Sequence, residues 1–159
     1  MNIEIICIGN LKEKYWKAAV EEYSTRLSSY AKIRITEIKE SPLPKNAGTS
    51  EEKKVKDTEG KTALSRIKDR SYVIALDIKG KTMSSEKFAE KIETLAVSGK
   101  SSIVFIIGGS LGLSEEVLKK ADMRLSFSEM TFPHQMMRVI LLEQIYRGFK
   151  INSNETYHK

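Results

Sequence analysis

Apolar residues along this chain fall into short unbroken runs separated by stripes at spacings of three and four, the pattern of strands alternating with helices. Asn2 to Gly9 carries Ile3, Ile5, Ile6, Cys7 and Ile8, and Lys32 to Ile38 alternates Ile33, Ile35 and Ile38 with polar residues. Ser71 to Asp77, with Tyr72, Val73, Ile74, Ala75 and Leu76, and Ile103 to Ile107, closed by Gly108-Gly109, read as strands buried on both faces. A last, alternating strand holds Met123, Leu125 and Phe127.

Between these strands the helical period takes over. Glu13 to Tyr30 places Trp16, Val20, Tyr23, Leu27 and Tyr30 on one stripe, and Ser84 to Val97 does the same with Phe88, Ile92, Leu95 and Ala96. Thr49 with Glu52 reads as a capping box for a helix to about Lys68, rich in lysine, poor in apolar residues and so expected to be largely a solvated face. Ile78 to Met83 is expected to be a loop. Ser114 is placed to cap a short helix with Glu115 and Glu116 at its positive end and Lys119 and Lys120 at its negative end. His134 to Lys150 is apolar around most of its circumference and needs more cover than one sheet face provides. Strand and helix alternating from 71 to 150 predict an α/β fold, a mostly parallel sheet with helices on both faces, and 159 residues suit a single domain spanning 1-159.

In such sheets ligands bind beyond the carboxyl ends of the strands, which is where Gly108 to Leu113 and Phe127 to His134 should lie side by side. The glycines permit close backbone approach, or serve only a tight turn. Gly80-Lys81-Thr82 and Gly60-Lys61-Thr62 resemble the end of a phosphate-binding loop, but the glycine required five positions earlier is replaced by Ala75 and Val55. Gly108-Gly109-Ser110-Leu111-Gly112 likewise lacks the spacing of a dinucleotide-binding loop. No Ser-His-Asp order or paired acidic motif stands out, so any chemistry must rest on positioning a reactive cofactor.

Net charge is +6, which suits a polyanionic partner and many unrelated enzymes alike. With one cysteine and two histidines, neither an intrachain disulfide nor a zinc cluster is expected, and Cys7 reads as a small core side chain. The amino terminus lacks a basic region followed by an apolar core, and no apolar run is long enough to span a membrane, so a cytoplasmic protein is expected. The polar tail from Asn152 to Lys159 shows no core role and reads either as disordered or as a contact segment.

Taken together, Ile106-Ile-Gly-Gly-Ser-Leu-Gly-Leu-Ser114, Leu125-Ser-Phe-Ser-Glu-Met-Thr-Phe-Pro-His134, Arg138-Val-Ile-Leu-Leu-Glu-Gln-Ile-Tyr-Arg147 and the closing Asn154-Glu-Thr-Tyr-His-Lys159 resemble the RlmH family of SPOUT-class methyltransferases, over the whole chain. That resemblance implies a SPOUT-type fold with a carboxyl-terminal trefoil knot in the region of about 71-150, a homodimer, and S-adenosyl-L-methionine as cofactor for methylating N3 of a pseudouridine in large-subunit (23S) ribosomal RNA. It implies cofactor contacts at Leu76, Gly108, Phe127, Ser128, Glu129, Met130, Thr131 and Phe132. RNA contacts are implied at Arg147, Tyr157, His158 and Lys159; no residue is an evident general base, and His158 is the candidate for substrate contact or proton handling. Ser110 stands where many members have proline, and Lys159 where some have arginine, whose bidentate phosphate grip a lysine lacks. The rival reading is a non-catalytic RNA-binding or ribosome-associated module that retains the fold; the intact glycine loop and Phe127 to His134 segment argue against it.

Overall fold

The computed structural model describes all residues from Met1 to Lys159. Five strands, β1 (Asn2–Ile8), β2 (Lys32–Ile38), β3 (Tyr72–Thr82), β4 (Ser102–Ile107) and β5 (Met123–Ser126), pair in parallel in the order β2-β1-β4-β3-β5. Alternate side chains of the central strands feed two cores. Ile3, Ile5, Cys7, Ile74, Ile103, Phe105 and Ile107 face α1 (Lys14–Leu27), α3 (Ser85–Val97) and α5 (His134–Asn152). Ile6, Val73, Val104 and Ile106 face α2 (Thr49–Ser65) and α4 (Glu115–Lys120). The expected parallel α/β layering is therefore present, with the unbroken apolar runs explained by strands covered on both sides.

Cys7 has no exposed surface, and burial pushes its thiol up to about 12. A thiolate is the reactive form, so the folded protein is expected to resist a thiol reagent at pH 8 and to react only after denaturation. Rapid labelling of the native protein would contradict this placement.

Three local expectations change. The capping box of α2 is set one residue earlier, with Gly48 as the N-cap and its backbone N–H donating to Glu51 Oε2 at 2.8 Å. This helix is also less solvated than its composition suggests: Glu59, Gly60 and Ala63 are buried, and a side chain added at Gly60 would begin 2.2 Å from Ser114 Oγ. The loop expected at Ile78 to Met83 is instead a continuation of β3 through Thr82, paired to Leu125 and Ser126 across a register shift. Gly80 belongs there because the backbone of Arg124 approaches so closely that a Cβ would lie 2.7 Å from its carbonyl carbon. Its role is strand packing, not phosphate binding.

The apolar helix α5 gets its cover from α1 and α3 as well as from β4, so no residue of it is fully exposed. Its first turns are fastened to the opposite end of the chain. The buried Arg138 guanidinium donates to the Gly9 carbonyl and lies 3.2 Å from Glu37, which also accepts from the Leu11 N–H at 2.9 Å. Gln135 accepts from the Lys12 N–H at 2.9 Å.

Candidate active site

The middle of β3, at its register shift, and the carboxyl ends of β4 and β5 open on one cleft of about 610 Å3. From β3 come Leu76, Asp77, Ile78 and Lys79; from the β4 end, Gly108 to Leu113; from β5 and the segment after it, Leu125, Phe127, Ser128, Met130, Thr131 and Phe132. His134 and Met137 close it from the first turn of α5. The volume is in the range of pockets that hold cofactor-sized ligands, roughly 300–1,000 Å3.

The floor is shaped by backbone rather than by side chains. Gly112 N–H donates to the Gly109 carbonyl at 3.1 Å, folding the glycine loop back on itself, and Gly112 has φ +80°. A Cβ on Gly108 would lie 2.8 Å from the Gly112 carbonyl carbon, so only glycine lets the two halves of the loop meet. Ser114 then accepts from the Val117 N–H and starts α4. The facing segment is held by short-range bonds: Ser126 Oγ donates to the Ser128 carbonyl at 3.1 Å, and Ser128 Oγ accepts from the Met130 N–H at 3.0 Å. This leaves Met130 74% exposed and Phe132 36% exposed as apolar rims.

Seven of the eight residues expected at the cofactor, Leu76, Gly108, Phe127, Ser128, Met130, Thr131 and Phe132, line the cleft; Glu129 does not, and its side chain is exposed. Asp77 to Lys79, Arg124 and Lys56 line it as well and had no signal of their own, because the β3 extension reads as a loop and Lys56 as one lysine among many. Arg124 Nε donates to Asp77 Oδ2 at 2.8 Å, tying β5 to β3 and neutralising both charges. Lys56 and Lys79 carry no carboxylate partner, and Glu115, which lines the same cleft, carries no cation partner.

None of Arg147, Tyr157, His158 and Lys159 lines the cleft. Arg147 lies thirteen residues past His134 on α5, roughly 20 Å along the helix axis at 1.5 Å per residue. Far from trailing free, the tail folds back onto this part of α5. Tyr157 packs edge-on against Tyr146 at 4.9 Å between ring centres, lies under the Arg147 guanidinium at 4.8 Å, and donates to Glu143 Oε1 at 3.2 Å. Burial, with the Glu143 carboxylate behind it, pushes the Tyr157 phenol up to about 12. Arg147 also binds Glu143, Nε to Oε1 at 3.0 Å, which raises its pKa further.

His158 sits between Arg147 Nη1, 3.1 Å from Nδ1, and Glu86 Oε1, 2.8 Å from Nε2. Arginine can only donate, so Nδ1 carries the lone pair and Nε2 the hydrogen. The Ser84 hydroxyl, its own backbone N–H and His158 together hold the Glu86 carboxyl down at about 2. No cluster of three or more His, Cys, Asp or Glu residues is placed to hold a metal ion, and no helix is long and apolar enough to cross a membrane.

A parallel α/β layer with a glycine-lined cleft fed by three adjacent strands defines a nucleotide- or cofactor-binding protein of the open-sheet class. Within that class the chain belongs to the family described as predicted SPOUT methyltransferase, which it matches over residues 1–158. It is 57% identical over 159 residues, the full length of both chains, to ribosomal RNA large subunit methyltransferase H of Clostridium kluyveri. To the protein of the same description from Alkaliphilus oremlandii it is 58% identical, again over the full length of both. Among solved structures, a probable methylase family protein from Haemophilus influenzae Rd KW20 shares the fold, with TM-score 0.57 and 15% identity over 99% of this chain and 70% of that one.

Proposed function

We propose that this protein transfers a methyl group from S-adenosyl-L-methionine to N3 of a pseudouridine in 23S ribosomal RNA, as a cytoplasmic homodimer whose carboxyl-terminal region is threaded into a trefoil knot. The observation that carries the reading is the convergence of Leu76, Gly108, Phe127, Ser128, Met130, Thr131 and Phe132 on one cleft of about 610 Å3, in a chain that matches rRNA methyltransferases end to end.

The cleft suits the cofactor chemically. Leu76, Leu111, Leu118 and Leu125 offer apolar surface for a purine, and the glycine loop offers unobstructed backbone groups for polar edges. The cofactor supplies a methyl group on a sulfonium: that carbon–sulfur bond breaks as the carbon–N3 bond forms, a neutral thioether remains, and the N3 proton passes to solvent. What the chain contributes is position. Arg124–Asp77 fixes β3 against β5, and Arg138–Gly9 fixes α5. With both ring nitrogens of His158 engaged, proton acceptance by that residue would require its contact with Arg147 to open.

Homodimer formation is supported by α5. Met136 and Ile140, one turn apart, are half-buried yet belong to neither core, and with Glu143 and Arg147 they form its outward stripe. Ile140→Glu is expected to halve the sedimenting mass at micromolar concentration, and a monomeric unaltered protein would refute the dimer. For the activity itself, calorimetric titration with S-adenosyl-L-methionine and transfer of labelled methyl to ribosomes lacking the modification are both expected to be positive. Absence of cofactor binding would favour a non-catalytic RNA-binding module.

A further inference from the structure

Glu40 is a buried polar group beside the cleft to which the cofactor reading gives no task. It stands just past the carboxyl end of β2, in a segment fixed on both sides: Gly9 N–H donates to the Ile38 carbonyl at 2.7 Å, and Ser41 N–H donates to Glu59 Oε1 at 3.0 Å. Its carboxylate turns back over the ends of β1 and β4. A Cβ added at Gly109 would lie 2.8 Å from Glu40 Oε1, and one added at Gly9 would lie 3.6 Å from it. Gly109 lines the cleft and Glu40 does not, so the carboxylate lies directly behind the glycine loop, with no side chain of Gly109 to hold it off.

The charge there is unmatched. Glu40 Oε1 is buried and accepts no hydrogen bond, and no cation lies within ion-pair distance of the carboxylate. Arg138 is committed to Glu37 and to the Gly9 carbonyl. His134 Nε2 borders the same Gly9 position at 3.2 Å but donates nothing to Glu40. Glu59 is no partner either: burial first, and the Glu40 charge with it, push its carboxyl up against the lowering effect of the Ser41 N–H. An unmatched buried carboxylate is costly to the fold and little screened by salt, so its field reaches the adjoining cleft. Of the cleft's own charges, Asp77 and Arg124 cancel each other, and Lys79 and Glu115 are exposed and screened. Half-buried Lys56 opposes a cationic ligand, and Glu40 is placed to offset it.

Resting on the proposed function, we infer that Glu40 is a specificity-determining residue that makes the cleft prefer the cationic cofactor to the neutral-sulfur product. Methyl transfer removes one positive charge from the bound ligand: the carbon–sulfur bond breaks, its electron pair stays on sulfur, and a sulfonium becomes a thioether. A fixed negative charge behind the glycine loop stabilises the first form and does nothing for the second. One residue thus favours both capture of the cofactor and departure of the spent ligand, without touching either.

Glu40→Gln keeps the length of the side chain and removes its charge. Calorimetry on the full-length protein compares S-adenosyl-L-methionine, its thioether product, and an analogue in which an amine-bearing carbon replaces the sulfonium and carries the positive charge. The unaltered protein is expected to bind both ligands charged at that position at least about tenfold more tightly than the product. Glu40→Gln is expected to lose about tenfold on those two while product affinity stays within about twofold. A merely structural Glu40 would weaken all three together, and that result would overturn the inference, as would three unchanged affinities. Glu40→Ala, also neutral, replaces the glutamine variant if that one fails to fold, and equal affinities for all three ligands in the unaltered protein would overturn the inference without any variant. Failure of the unaltered protein to bind any of the three would overturn the functional reading, and Glu40's role with it.

Discussion

Gly108→Ala is expected to leave the sheet folded and to weaken S-adenosyl-L-methionine binding at least about 100-fold, close to 2.7 kcal/mol. The cause is not a side chain projecting into cofactor space. A Cβ at this position meets the Gly112 carbonyl carbon at 2.8 Å and its oxygen at 2.9 Å, backbone atoms that cannot rotate away. The loop must therefore open, and the Gly109–Gly112 pairing that forms the cleft floor is lost. Ile103 to Ile106 of β4 pair with strands on both sides and Ile107 pairs with Cys7, so the damage stays local. Calorimetry reads the affinity and circular dichroism the fold; a folded variant with unchanged affinity would remove the glycine loop from the site.

Truncation after Glu155 is expected to cut methyl transfer to ribosomes by about 100-fold or more while cofactor affinity stays within about twofold. The lost groups are a ring able to stack on a base, worth ~1–3 kcal/mol, and the Lys159 cation, able to meet phosphate. Because Tyr157 is packed against Tyr146 and Arg147 and bonded to Glu143, the truncation also costs stability, about 1–2 kcal/mol, more than an unattached tail would. Single-turnover transfer with labelled cofactor separates the two effects. Wild-type transfer by the truncated protein would reduce the tail to a structural clasp.

The strands and most helix limits were legible because burial on both faces forces unbroken apolar runs, as at Ile103 to Ile107, and because Ser84 and Ser114 cap their helices as their side chains suggest. The cap of α2 was misplaced by one residue because Glu51 and Glu52 are adjacent and only the backbone entry angle at Gly48 selects between them. Ile78 to Thr82 carries glycine and lysines, turn-like in isolation, yet pairing with β5 overrides that local preference. Seven cleft residues, spread over three segments, came from the family resemblance; Asp77, Lys79 and Arg124 did not, since only the fold brings β3 and β5 side by side. The docked tail was equally hidden, for its partners Tyr146, Glu143 and Glu86 lie up to 72 residues away.

The Arg138 to Gly9 contact spans 129 residues of chain. Closing so long a loop is entropically late, and its two ends lie just after β1 and in the second turn of α5. Since α5 also supplies His134 and Met137 to the cleft, the site is complete only once these distant segments have met. The most non-local closure in the fold is thereby also the step that finishes the cleft.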